Sequence, residues 1–305
     1  MTIMDSKTLT AILPEQYLGK IVDKAKTTST VARLSAAEPM LFGNANFINF
    51  NDTVRAEFVE EKGEKSSTSA AWEKVTAVPR KSVVTVRVTD EFMWTNEDHQ
   101  AQIIDRDVVP AMNTALSRAL DLGLYHRINP LTGNTVDSWA NYLTATSLTV
   151  EQGKAEADAD IRAAAGLVIA KNHQVTGLAL DPKMAWALGD LQGKLANGDP
   201  DGRQRYPEIG LGANIDRFLG LPVAVGDTVS GQPEATDTKI RAIVGDFTNG
   251  IRWGIQKQIP LEVIPYGDPD GQGDLKRANQ VALRLEIVYA WHVLTDRFAV
   301  VKAAG

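Results

Sequence analysis

There is no cysteine among the 305 residues. That excludes disulfides, thiolate nucleophiles, iron–sulfur clusters and every cysteine-based zinc site. Histidine is scarce: His99, His126, His173 and His292 all lie more than about 25 residues apart, so no two share a helix face as helical zinc motifs require. Long apolar runs are missing as well. No uncharged stretch approaches the ~18 residues of a membrane span, and Met1–Thr10 lacks the apolar core of a signal peptide. Nor is there a basic excess. With 32 Lys and Arg against 38 Asp and Glu the net charge is −6, which argues against a nucleic-acid-binding surface spread over the whole molecule. These absences leave a soluble, cytosolic chain without a membrane partner as the expectation.

What remains is a chain that is 44% hydrophobic, ample for a buried core. At roughly 150 residues per domain, its length suggests two domains or one elaborate one.

Motifs that carry chemistry are incomplete wherever they begin. No serine sits in a Gly-x-Ser-x-Gly elbow, and no phosphate loop ends in Gly-Lys-Ser/Thr. Gly210-Leu-Gly212 starts like a dinucleotide fingerprint but lacks the third glycine. Asp268-Pro-Asp270-Gly-Gln-Gly273-Asp274 supplies oxygens at positions 1, 3 and 7 of a calcium loop and glycine at position 6. Position 12 is Asn279, where a bidentate carboxylate should close the cage, so the stretch reads as a turn. No catalytic residue, cofactor or metal site is therefore expected. An α+β enzyme with a site gathered from dispersed residues is the alternative from another class.

Hydrophobic periodicity organises the chain. A short amphipathic helix is predicted near Gln16–Lys26, within a segment of low apolar density that suits an arm lying on another surface. Phe47–Phe50 leads into Val54–Val59, a polar tip follows from Glu60 to Ser69, and Trp72–Val78 and Val83–Val88 return. The alternation predicts a long hairpin with a charged tip. Such a ribbon alone is marginal in water, so its apolar side, including Phe58, Trp72 and Val75, needs a surface, its own domain's or a neighbour's.

Thr95 with Asp98 resembles a capping box opening a helical rod to Gly123, with Pro110 expected to kink or split it. A second helix is predicted from Val150 to Lys171 behind Thr149. Leu178–Leu180 reads as a buried strand, and Asp181-Pro182 as the start of a helix through Leu191. Asn197–Gly202 is a loop. Strands follow at Pro222–Val225, Ile240–Val244, Ile251–Ile264, Val281–Ile287 and Phe298–Val301.

In this order the phrases Leu178-Ala-Leu-Asp-Pro182, Gly198-Asp-Pro-Asp-Gly-Arg203, Leu219-Gly-Leu-Pro-Val223, Val244-Gly-Asp-Phe247 and Asn279 to Glu286 resemble the tailed-phage major capsid proteins of the Hong Kong 97-type fold. The resemblance spans residues 30 to 303 and implies an α+β fold. Residues 1–43 would be an N-terminal arm, 44–89 an extended hairpin loop, 90–129 with 269–305 a peripheral domain built on a spine helix, and 130–268 an axial domain. It implies no enzyme and no cofactor. The expected function is a subunit that self-assembles through hexamers and pentamers into an icosahedral head enclosing double-stranded DNA, bound without sequence specificity. Portal and scaffolding or decoration proteins are the implied partners, the virion the implied location, and the host cytoplasm the implied place of assembly. The chain as given has no room for a long scaffolding domain ahead of the arm. An encapsulin-type compartment shell is the alternative within the fold.

Inter-subunit contacts are then expected from Phe58, Trp72, Val75, Lys62 and Lys65. Some members weld subunits by a lysine–asparagine isopeptide bond aided by a glutamate. On that pattern Asn279 and Glu286 stand in the terminal segment, and Lys62, Lys65 and Lys74 on the hairpin. The plainer alternative makes Asn279 and Glu286 ordinary strand residues and the lysines surface ion pairs.

Overall fold

The computed structural model describes residues 29–51, 56–59, 61–67, 71–93, 104–153, 156–194, 200–210 and 215–304. The helix expected at Gln16–Lys26 and the capping pair Thr95 and Asp98 lie outside them.

Helix α1, Thr30–Leu34, is capped by the Ser29 hydroxyl, which accepts from the Ala32 N–H. Strands β1, Ala45–Asn51, and β2, Ala71–Thr89, form the predicted antiparallel hairpin, with Phe47 opposite Val75. The first arm is shorter than its apolar pattern implied, because residues 56–59 form no strand. A short helix α2, Asp90–Met93, follows.

Of the rod expected from Thr95 to Gly123, residues 104–123 are described. A π-helical turn at Ile104–Val108 leads into α3, Val109–His126, a helix about 27 Å long. Pro110 sits in its first turn, where a missing N–H breaks no hydrogen bond, so it starts the α-helix instead of kinking it. At the far end Arg127 takes a left-handed conformation and gives its N–H to the Gly123 carbonyl.

Thr149 does not open a helix. Thr149–Glu151 is β3, and the helix α4, Ala157–Ile169, starts beyond Glu156 with Asp158 and Asp160 in its first turn. The local Thr149–Gln152 spacing mimics a cap, but parallel pairing with a distant strand holds these residues extended. Strand β4, Gly177–Leu180, and helix α5, Pro182–Gly189, are as read: Asp181 caps the helix through the Lys183 N–H at 2.8 Å. Strands β5, Gln192–Lys194, and β6, Pro200–Gln204, pair across part of the expected loop. The remaining strands are β7, Arg217–Phe218; β8, Leu221–Val225; β9, Ile240–Gly245; β10, Ile251–Ile264; β11, Gln280–Val293; and β12, Phe298–Lys302.

Two sheets carry the fold. One has the order β1-β2-β11-β10, the other β3-β12-β9-β4-β8-β7. Strand alternation separates two cores across the second sheet. Ala179, Ile243, Phe298 and Val300 face the core around α3, where Leu116, Leu120 and Leu124 meet Leu285, Ile287, Tyr289 and Trp291. Leu178, Leu180, Val244, Ala299 and Val301 face the other, packed under α4 and α5 by Ile161, Val168, Met184 and Leu188. The two closing strands therefore part: β11 pairs in the four-stranded sheet, while β12 hydrogen-bonds in the six-stranded one and still lends one face to the α3 core.

His126 closes α3 inside this core, with Nε2 2.9 Å from the Val229 carbonyl oxygen. Burial pushes its pKa down to about 4, so the folded subunit keeps it neutral where the unfolded chain takes up a proton. Stability should be flat above about pH 6.5, fall as pH drops towards 4, and lose about 3 kcal/mol over that window. Denaturant midpoints at pH 7.5 and 4.5 check this, and His126→Gln should shrink the difference between them.

Candidate assembly surfaces

A carboxylate inside the long helix holds Ser29, Thr30 and Val31 at the start of α1. Ser117, Asp121 and Tyr125 lie four apart on α3 and are all buried. Asp121 accepts from the Ser29 hydroxyl at 2.5 Å, the Thr30 N–H at 2.8 Å, the Thr30 hydroxyl at 2.9 Å and the Val31 N–H at 3.2 Å. The Thr228 hydroxyl adds a fifth donor at 2.8 Å. Burial pushes the Asp121 carboxyl above the usual carboxylate range, and the five donors pull the other way. From this clasp the chain runs along β10. The Ser35 carbonyl accepts from Trp253 Nε1, the Glu38 N–H donates to the Trp253 carbonyl, and Gly43 exchanges hydrogen bonds with the Gln256 side chain.

The hairpin leaves the body where β2 changes partners. Ala71–Ala77 pair with β1, and Val78–Thr89 pair with β11. At that junction Arg80 places its guanidinium 4.1 Å over Trp139 and 4.4 Å over Trp291, whose rings meet edge to face at 5.5 Å. Burial lowers the Arg80 pKa to about 10, so it stays charged at neutral pH.

The expected contact residues divide along this ribbon. Val75 is buried by its own chain, together with Ala77. Lys74 is exposed opposite Ile48, and Lys62 and Lys65 are exposed on the tip, where Lys62 has φ 78°. Phe58 is fully exposed. Trp72 pairs by backbone with Phe50. Ile48, Val78 and Val83 add further exposed apolar surface.

The cross-link candidates do not come together within one subunit. Asn279 is exposed just ahead of β11, with its carbonyl accepting from the Asp90 N–H. Glu286 lies seven residues on, within β11. There it forms a 2.6 Å ion pair with Lys81, a lysine of β2 that the hairpin-tip reading passed over.

The loop that resembled a calcium site has another occupant. The Arg87 guanidinium takes both Asp270 oxygens, Asp268 Oδ1 at 3.4 Å, the Gly273 carbonyl at 2.9 Å and Gln280 Oε1 at 3.1 Å. It ties residues 268–274 to β2. Among the described residues no group of three acidic or histidine side chains is placed to hold a metal, and no helix is long and apolar enough to cross a membrane.

Asp121 and Arg80 were missed in the sequence, though each leaves a trace. Asp121 is a charge at helical spacing within an apolar stripe, and Arg80 interrupts an apolar strand directly after a proline.

A family model described as the phage capsid family matches residues 10–302. A solved structure from Mycobacterium phage Ogopogo is 40% identical, covers 91% of this chain and 92% of its own, and superposes with TM-score 0.79. One from Gordonia phage Cozz is 29% identical, covers 91% and 87%, and has TM-score 0.78. The capsid of a native GTA particle, computed with C5 symmetry, shares the fold at 15% identity and TM-score 0.58, covering 91% of each chain. No curated protein matches.

Proposed function

The chain belongs to the phage capsid family, a structural component of the virion, and on that premise we propose that its copies assemble through hexamers and pentamers into an icosahedral head enclosing double-stranded DNA. The observation that carries this is the hairpin. Its root is built into the subunit, while Phe58 towards its far end is covered by none of the described residues. Apolar surface that one copy cannot bury makes folding and association continue into each other. In this reading residues 1–43 are the arm and 44–89 the loop laid over a neighbour. The spine helix α3 belongs to a peripheral unit of 90–129 with 269–305, and 130–268 form the axial unit.

A net charge of −6 suits a container whose DNA must move during packing, since each phosphate contact would add affinity and salt dependence. Portal and scaffolding or decoration proteins complete the proposed assembly, which takes place in the host cytoplasm.

Size-exclusion chromatography with negative-stain microscopy tests the reading. Purified protein should give shells, or pentamers and hexamers. A stable monomer with a radius of gyration near ~19 Å would overturn it. Deleting residues 61–67 should leave a folded subunit with unchanged far-UV circular dichroism and greatly reduced particle yield.

A further inference from the structure

We propose that Phe58 of one subunit seats in the surface cavity at the hairpin root of a second copy of this chain. The inference rests on the capsid reading and names one contact within it. The cavity has a volume of about 250 Å³. Phe47, Ile48 and Val75 of the hairpin root and Leu294 supply its apolar lining, and Arg252 and Arg297 its cationic part. A cavity of roughly 150 Å³ holds a benzene-sized ring, so a phenylalanine side chain fits with room to spare. Ile48 is 72% exposed, and the wall it forms is open to solvent.

The chain itself carries the occupant. Phe58 is wholly exposed and Val59 beside it partly so, which places neither in the cavity of its own subunit. The seven paired residues of β1 set the far end of the ribbon about 20 Å from its root. Around Phe58 the segment Glu57–Lys65 carries Glu57, Glu60, Glu61 and Glu64 against Lys62 and Lys65. The cavity answers with two arginines. Arg252 is shared with Glu38, and Arg297 with Asp246 at 3.4 Å. A buried aromatic anchor supplies most of the affinity in such a contact, and opposite charges around it set approach and register.

Tip and root are different surfaces of one molecule, so the contact is heterologous. Each copy gives a tip and receives one, and the series closes into a ring when the rotation between copies allows. In such a ring the tip of each copy seats in the next, and its cavity receives the tip of the copy before it.

The natural chain has no cysteine, which makes the test free of background. Phe58→Cys and Leu294→Cys are prepared as separate variants, assembled together and oxidised mildly. A disulfide-linked dimer in the mixture, absent when either variant is oxidised alone, is the expected result. In parallel, Phe58→Ala should raise the concentration needed for assembly roughly thirtyfold, the loss of one hot-spot anchor, and Phe58→Trp should largely restore it. Shells that form from the mixture without the crossed dimer, or Phe58→Ala assembling at the wild-type concentration, overturn the contact and leave the capsid reading standing. Wild-type protein that never leaves the monomer overturns both. Should the Leu294 variant fail to fold, Phe58→Ala decides alone, because truncating a fully exposed side chain leaves the subunit core untouched.

Discussion

Replacing Asp121 by alanine should cost the subunit about 4 kcal/mol, much of the 5–15 kcal/mol that holds a typical domain folded. The Thr30 and Val31 N–H groups cannot turn to other partners, and each buried donor left without an acceptor costs about 1–3 kcal/mol. The hydroxyls of Ser29, Thr30 and Thr228 lose their acceptor as well, but can rotate. Asp121→Asn keeps one acceptor oxygen and should lose about half as much. Ser117→Ala, one turn away, removes only a hydroxyl bonded to the Asn113 carbonyl of its own helix and should cost about 1 kcal/mol. Urea midpoints rank the three variants. Limited proteolysis locates the effect, since Asp121→Ala should expose new cleavage sites between residues 29 and 44 before the body unfolds. Equal protection in variant and wild type would show that Asp121 does not clasp that segment.

Trp291→Ala should be nearly as damaging, at about 4 kcal/mol. The indole is fully buried, and its ring packs so close to Gly123 of α3 that a Cβ there would stand 2.8 Å from it. Removing it empties the junction of α3, β2 and β11 and takes one face from the Arg80 guanidinium, which then stays buried with fewer partners. Trp291→Phe keeps an aromatic face and should cost roughly half as much. The cation–π share can be separated by a double-mutant cycle with Arg80→Met, in which a coupling of about 1–2 kcal/mol is expected. Additive losses would mean the stack contributes by volume alone.

Elements whose residues obey one period were legible in the sequence. β2 and the first half of β11 alternate, and α5 announces itself by Asp181-Pro182; β11 continues to Val293, six residues past the alternating stretch that ends at Ile287. The errors occur where a distant partner overrides a local signal. Thr149 has a capping-box spacing but is held extended by β12, about 150 residues away. Pro110 looked like an interruption because the sequence does not show that the α-helix proper begins beside it. The site residues follow the same rule. Lys62 and Lys65 were legible as exposed because the tip from Glu60 to Ser69 is polar, whereas Phe58 read as apolar surface in need of a cover and stands exposed in the single subunit. Asp121, Arg80 and Arg87 acquire their roles only from groups more than 50 residues away, which no local window contains. Glu286 was singled out for its spacing to Asn279. Its partner Lys81 comes from the neighbouring strand and became visible only with the β2–β11 register.

The place of β12 has a consequence for how a nascent chain matures. All the other strands of its sheet are synthesised earlier, yet β12 inserts between β3 and β9 and, among the described residues, is the one strand that pairs with β3. Until residues 298–302 leave the ribosome, β9 presents an open edge and β3 has no sheet to join. Pairing across such sequence distances is slow, and an unfinished edge is the kind of surface on which neighbouring chains mispair. Crowded polysomes translating this message therefore expose the subunit to misassociation up to the last strand, and completion of the sheet separates a nascent chain from a building block.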